Sequence, residues 1–228
     1  MKPPLTGISS MATRPVLADL AKAWQARGGE VTFESMGGVE AAERIRNGER
    51  FDIVVLAAES IDKLLAAGRI VADSKTDIAR SAVAVAVRAG APRPVVDTEE
   101  TLRQAVLSAR TVGYSTGPSG VALQQLFGRW GIADVMRARV IQARPGVAVG
   151  TLIARGDVDL GFQQLSELMH VDGIDVVGPM PPGLEIVTTF SGGICAASMR
   201  GDDAGALLDF MRSPAADDAK RRHGMQPA

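Results

Sequence analysis

Residues 52–68 read DIVVLAAESIDKLLAAG. Asp52 to Ala57 form an almost continuous apolar run, which suits a strand buried on both faces rather than on one. Ser60 is placed to cap a following helix whose Ile61, Leu64 and Leu65 turn inward, and Gly68 ends it. The same alternation precedes this stretch. Arg14 to Arg27 (RPVLADLAKAWQAR) carries Val16, Leu17, Leu20, Ala21 and Trp24 at helical spacing, with Pro15 at its start and Gly28-Gly29 beyond its end. Val31 and Phe33 alternate with polar residues as a short strand, and Val39, Ala42 and Ile45 mark a helix that stops at Gly48. Strand and helix in repeated succession predict an α/β fold with a mainly parallel sheet covered on both sides.

The pattern restarts at SAVAVAV, residues 81–87, followed by the proline-rich turn APRP. Asp97 with Glu100 has the spacing of a capping box for a helix carrying Leu102, Val106 and Ala109. TVGYS reads as a strand, and Leu123, Leu126, Phe127 and Trp130 form a helical stripe. Further strands are expected at VDLGF (158–162), IDVVG (174–178), LEIVTTF and GICAASM, and two short helices at 202–212 and about 214–223. The KRRH cluster at 220–223 reads as a solvated face near a helix C-terminus, where cations suit the dipole.

Composition narrows the partners. With 46% apolar residues, 22% charged residues and a formal net charge of -1, neither disorder nor a basic nucleic-acid surface is indicated. No apolar run approaches the roughly 20 residues that span a bilayer. The opening MKPPLTGISSMATRP lacks the apolar core and cleavage site of a secretory leader. The expectation is therefore a cytoplasmic chain as it stands, or a periplasmic one from which a leader has been removed. Cys195, the one cysteine, allows no intrachain disulfide or cysteine cluster and reads as a buried small hydrophobe. His170 and His223 have no metal-ligand spacing, and neither a metal nor a cofactor is expected.

In a parallel α/β sheet, ligands gather at the carboxyl ends of strands, where loops lead into helices and their unpaired N–H groups. Four segments have that position. GISSMATRP offers Ser9, Ser10 and Met11 before the first helix, and ESMGGVE offers Gly37 and Gly38, where backbone can approach a ligand closely. GYSTGPSG offers Ser115, Thr116, Ser119 and Gly120, with Ser119 placed to cap the helix carrying Leu123; it lacks the spacing and lysine of a P-loop. GFQQLSEL puts Gln163 and Gln164 directly after a strand, with amides that both donate and accept. Each of these also reads as an ordinary cap, turn or solvated pair. Arg80 could add a bidentate carboxylate contact, and Arg14 is a second such candidate.

In that order, SSMAT, ESMGGVEAAERI, FDIVVLAAESIDKLLAAGRI, STGPSG and GFQQLSEL give a chain that resembles the type II periplasmic solute-binding proteins over nearly its whole length. The resemblance is to the branch around the molybdate-binding proteins. It implies two α/β lobes joined by two crossing strands near Ser81 and Leu184, with ligand in the cleft between them. Residues 1–80 and 185–228 would form a discontinuous lobe one, and residues 81–184 lobe two. Molybdate binders of this family hold a tetrahedral dianion with serine hydroxyls, backbone N–H groups and usually a tyrosine in the segment matching GFQQLSEL. Here ESMGG lacks the serine run, and Gln163 or Gln164 stands where the tyrosine would be. That set suits a planar organic carboxylate better than a tetrahedral oxyanion.

The same branch is similar to aconitate isomerases, which move a proton within an unsaturated tricarboxylate without a cofactor. Three readings follow: a receptor for a small anion such as a di- or tricarboxylate, with an ABC-type permease as partner if it is exported; a cofactor-free isomerase; or a binder of molybdate or another tetrahedral oxyanion. A sensing module like the effector domains of LysR-type regulators is a further possibility, although those normally follow a helix-turn-helix.

Overall fold

The computed structural model describes residues 3–144 and 146–228. The chain begins with β1 (Leu5–Ser10), α1 (Arg14–Gln25), β2 (Val31–Met36), α2 (Gly38–Arg46), β3 (Ile53–Ala57) and α3 (Ala58–Ala66). The long β4 (Thr76–Arg88) leads to α4 (Glu99–Ser108), β5 (Val112–Tyr114), α5 (Pro118–Arg129), α6 (Ala133–Met136) and β6 (Val140–Gln142). Then come α7 (Val149–Arg155), β7 (Leu160–Gln164), α8 (Leu165–Leu168), β8 (Ile174–Pro179) and β9 (Val187–Ile194). The chain closes with α9 (Gly201–Arg212), α10 (Asp217–Arg222) and β10 (Met225–Pro227). Among the described residues no helix is long and apolar enough to cross a membrane.

Two compact units result: Met1–Ser81 with Thr189–Ala228, and Ala82–Thr188. The crossings between them fall inside β4 and β9. In unit one, β1 pairs in parallel with β2 and β3, β3 pairs antiparallel with β9, and β10 pairs antiparallel with the first part of β4. In unit two, β5 pairs in parallel with β6 and β7, while the second part of β4 runs antiparallel to β7 and β8. The parallel strands expected from the strand-helix alternation are present. The strands around the crossings add antiparallel edges to them.

The apolar run at 53–56 is buried throughout, and its alternate residues enter different cores. Ile53 and Val55 join Val16, Leu17 and Leu20 of α1, whereas Val54 and Leu56 join Ala41 and Ile45 of α2 and Ile61 and Leu64 of α3. Strand β4 repeats the arrangement in unit two. Val83, Val85 and Val87 pack with Leu102, Leu123 and Phe162, and Ala84 and Ala86 face Val149, Ile153 and Leu168. Each fully buried aliphatic side chain contributes about 1.5–3 kcal/mol, so period-two alternation stabilises both faces of each sheet. Trp24 extends the first core by stacking on Phe210 of α9 with ring centroids 5.5 Å apart.

Several local expectations are revised. Ser60 lies inside α3, which opens at Ala58 behind Ala57. The capping box of α4 is Thr98 with Thr101, one residue beyond the Asp97–Glu100 pair: the Thr101 N–H donates to Thr98 Oγ1 at 3.2 Å and the Thr98 N–H to Thr101 Oγ1 at 3.0 Å. LEIVTTF and GICAASM are not two strands but one, β9, with Gly192 and Gly193 inside it. A Cβ at Gly192 would lie 2.3 Å from Leu208 Cδ2, so the missing side chain is what lets α9 pack on this strand. The short elements β6, α6, α8 and β10, of three or four residues each, carry too few residues to show a period, and α7, with Val149 and Ile153 buried one turn apart, is a further element the sequence reading does not include.

The KRRH cluster is only partly a solvated face. Arg221 and Arg222 are exposed, but Lys220 is completely buried, with its ammonium 3.1 Å from Asp217. His223 reaches Asp19 of α1 at 3.0 Å. Cys195 is buried beside β3, and burial, with Asp52 nearby, pushes its thiol up to about 12. The Lys220–Asp217 pair is asymmetric: Asp217 is part-exposed and also lies 3.8 Å from Arg221, so losing Lys220 leaves a carboxylate that water and Arg221 can serve, whereas losing Asp217 strands a fully buried ammonium. Asp217→Ala should therefore destabilise the protein by about 3 kcal/mol, while Lys220→Met, of similar volume and uncharged, should cost less than about 1.5 kcal/mol. Urea denaturation of the two variants checks the order.

Candidate functional site

The four candidate loops lie at strand ends, two in each unit. In unit one, the hydroxyls of Ser9 on β1 and Ser35 on β2 stand in register and share a hydrogen bond of 2.9 Å. Ser9 is thus fully buried and engaged within the fold. Ser10, the next residue, is also buried, and its Oγ has no hydrogen-bond partner. Its carbonyl accepts the Thr13 hydroxyl at 3.0 Å, closing the short turn that begins with half-buried Met11. Gly37 is the N-cap of α2 and Gly38 its first residue. A Cβ at Gly38 would stand 3.7 Å from Ser10 Cβ, an ordinary contact that places the α2 entry beside that hydroxyl. Arg80 is exposed on β4 opposite Gln226 of β10, and Arg14 is exposed at the start of α1.

In unit two, β5 ends at Tyr114, which is buried and whose hydroxyl accepts from Gln124 Nε2 at 2.5 Å. Ser115 and Ser119 hydroxyls lie 3.3 Å apart. Helix α5 opens at Pro118 behind Gly117, so Ser119 sits in its first turn and is not the cap; no side chain caps this end. Thr116 is half-buried beside it. The Gly120 N–H donates to the Gly117 carbonyl at 3.0 Å, which removes it from the expected ligand donors. Gly120 has a different role. A Cβ there would lie 1.9 Å from the Ser115 carbonyl oxygen, so only glycine lets the loop fold onto the helix.

Gln163 and Gln164 complete β7 instead of following it, and both are buried. The Gln163 amide is used at both ends: its Oε1 accepts the Gly150 N–H at 3.2 Å, and its Nε2 donates to Glu167 Oε2 at 2.6 Å. The Gln164 Nε2 donates to the Thr188 hydroxyl at 2.8 Å, while its Oε1 is buried without a partner. Thr188 can donate as well as accept, so a half-turn of the amide keeps that bond and presents N–H in place of the oxygen. Among the described residues, Ser10 Oγ and Gln164 Oε1 are the buried side-chain atoms left without a hydrogen bond. A group left so costs about 1–3 kcal/mol, a cost that a ligand oxygen can remove.

Glu167 lies four residues after Gln163 in the same GFQQLSEL segment, within α8, and is a site residue that residue type and spacing do not mark. Burial pushes its carboxyl up to about 7 against the opposing pull of the Gln163 amide. Ser35 and Thr188 were likewise missed; each is recognisable only through the strand register or fold that brings it to Ser9 or Gln164. No cluster able to hold a metal ion occurs among the described residues. A cavity of about 920 Å³ in unit two, lined by residues such as Pro92, Val95, Ala105 and Leu160, includes none of the four loops.

This α/β architecture, with polar groups held at the ends of β1, β2, β5 and β7, is that of a two-lobed periplasmic binding protein. The chain belongs to the bacterial extracellular solute-binding protein family, whose model matches residues 5–226. It is 36% identical to an aconitate isomerase from Pseudomonas sp over 232 residues, covering 98% of this chain and 87% of that protein. Among solved structures it is similar to the periplasmic molybdate-binding protein of Azotobacter vinelandii, with a TM-score of 0.80 and 21% identity over 97% of this chain and 98% of that one. It is similar also to the sulfate-binding protein SubI of Mycobacterium tuberculosis H37Rv, with a TM-score of 0.82 and 18% identity over 100% of this chain and 88% of that one. At these identities the two structures speak to the fold.

Two outcomes test the local geometry. Gly120→Ala should lose about 1–3 kcal/mol by overpacking, whereas Gly128→Ala, in the same helix with open space around it, should gain about 0.5–1 kcal/mol from helix propensity; thermal melts separate them. For Glu167, the unfolded chain gives up its proton near the ordinary value of 4.5 and the folded chain only near about 7. Its contribution therefore favours the fold below pH 4.5 and is lost as pH rises to about 7. Glu167→Gln should show a smaller fall in stability than the parent across that window.

Proposed function

We propose that this protein binds an unsaturated tricarboxylate of the aconitate type and shifts the ligand's double bond by moving a proton. The donor set supports this reading. Ser10 offers a buried hydroxyl and Gln164 a buried amide end, each unpartnered within the fold; both suit carboxylate oxygens. The ESMGG and GFQQLSEL loops lack the additional serine run and tyrosine associated above with tetrahedral oxyanions. The isomerase relative, aligned over nearly all of this chain, supports the substrate class and the proton transfer.

A second reading rests on the family model: the same ligand is captured and released unchanged, as by a receptor that delivers it to a permease. Calorimetry with cis- and trans-aconitate, a saturated tricarboxylate, molybdate and sulfate tests the ligand class. Aconitate should bind and the inorganic anions should not; response to molybdate or sulfate alone would overturn the carboxylate assignment. Ser10→Ala should weaken aconitate binding by the 1.5–3 kcal/mol typical of a hydrogen bond to a charged group, or about 10- to 150-fold. Proton NMR of bound aconitate in deuterated water then separates the readings. Interconversion with deuterium uptake marks the isomerase; binding without either marks the receptor.

A further inference from the structure

We infer that Glu167 is the group that takes and returns the substrate proton, and that Gln163 is the residue that positions it; this rests on the isomerase reading above. An allylic shift in aconitate needs one base that can also act as an acid. The methylene C–H bond breaks and its proton passes to the base. The electron pair moves into the double bond system, and the former vinyl carbon forms a new C–H bond with the returned proton. Carbon skeleton, oxidation level and carboxylates are unchanged, so no co-reactant is required.

The four loops contain few candidates. Glu34 is exposed and held by Arg44 at 2.8 Å, and Glu40 is exposed on the first turn of α2. The Tyr114 hydroxyl is buried under Gln124. Glu167 differs from all three. It is half-buried, one turn beyond the unpartnered Gln164 oxygen, and one of its oxygens is fixed by Gln163 at 2.6 Å. Gln163 is itself locked by the Gly150 N–H at 3.2 Å. The second Glu167 oxygen takes no part in that bond.

The electrostatic surroundings are sparse. Helix α8 packs most closely on β7, α7 and β8. Their titratable side chains are Arg155, exposed at the end of α7, and Asp175 on β8, which accepts the Gly90 N–H at 3.3 Å; His170 follows α8 and is exposed. Burial therefore outweighs charge in setting the Glu167 proton affinity, and the carboxyl changes state near about 7. A base and acid of one group works best in that range.

The test uses the full chain with trans-aconitate, followed by proton NMR in deuterated water and by calorimetry. Glu167→Gln should still bind trans-aconitate within about threefold of the parent while interconversion and deuterium uptake fall at least about 100-fold. Glu167→Asp, one methylene shorter, should retain a small fraction of the rate and provides the same test if the glutamine variant does not fold. Gln163→Leu should move the rising limb of the rate-against-pH profile to higher pH, because the bond that favours the charged carboxylate is gone; a glutamine with only a packing role would lower the rate without moving the limb. If the parent interconverts aconitate and Glu167→Gln does so at a comparable rate, the Glu167 assignment fails and the isomerase reading stands. If the parent binds aconitate but never exchanges its protons, the isomerase reading fails and this assignment with it. An unmoved limb in Gln163→Leu overturns the positioning role.

Discussion

The structure depends on strands that are buried on both faces. Once Ile53 and Val55 are committed to one core and Val54 and Leu56 to another, no polar side chain can be placed within β3 without losing contacts on one side. The same holds for the valines and alanines of β4. The polar residues of the candidate loops, Ser9, Ser10, Ser115, Gln163 and Gln164, stand at strand ends, while Ser191 inside β9 is accommodated by donating to Asp77 at 2.5 Å. Helices of modest intrinsic propensity are retained because they cover these sheets. Where a helix must come closest, the sheet gives up its side chain, as at Gly192 beneath Leu208.

Within those strand ends, neighbouring residues of the same type divide into structural and available groups. Ser9 is engaged by Ser35 and Ser10 is not. Gln163 spends both ends of its amide inside the fold, and Gln164 spends one. In each pair the first residue stiffens the strand end and the second leaves an atom free. Leaving a buried polar atom unpaired is costly, and each unit carries one such atom at a strand end, Ser10 Oγ in unit one and Gln164 Oε1 in unit two.

Much of this was legible in the sequence because burial writes itself as periodicity. The continuous apolar run at 53–56, the stripe Leu123, Leu126 and Phe127, and the order of the loop motifs were enough for the α/β class and for the family. Capping was less legible: by residue type Asp97 is the better cap, and the backbone geometry that makes Thr98 the cap is not written in the local pattern. The closing KRRH cluster misled because a lysine stem can be buried whole when an aspartate is three residues away to receive its ammonium. Within the candidate site, hydroxyl and amide residues could be listed but not sorted. The sorting requires register, which pairs Ser9 with Ser35, and the approach of Thr188 to Gln164, which no local pattern encodes. Glu167 was passed over because a carboxylate in a short helical run ordinarily faces water.

The buried thiol has a practical meaning of its own. Cys195 is the only sulfhydryl in the chain and is held in its unreactive, protonated form. A thiol reagent can reach it only when the β3–β9 region of unit one opens, so the labelling rate measures that opening directly. The sequence therefore carries a built-in clock for local unfolding of one unit, readable by mass without adding a probe, while the other unit, lacking any cysteine, stays silent.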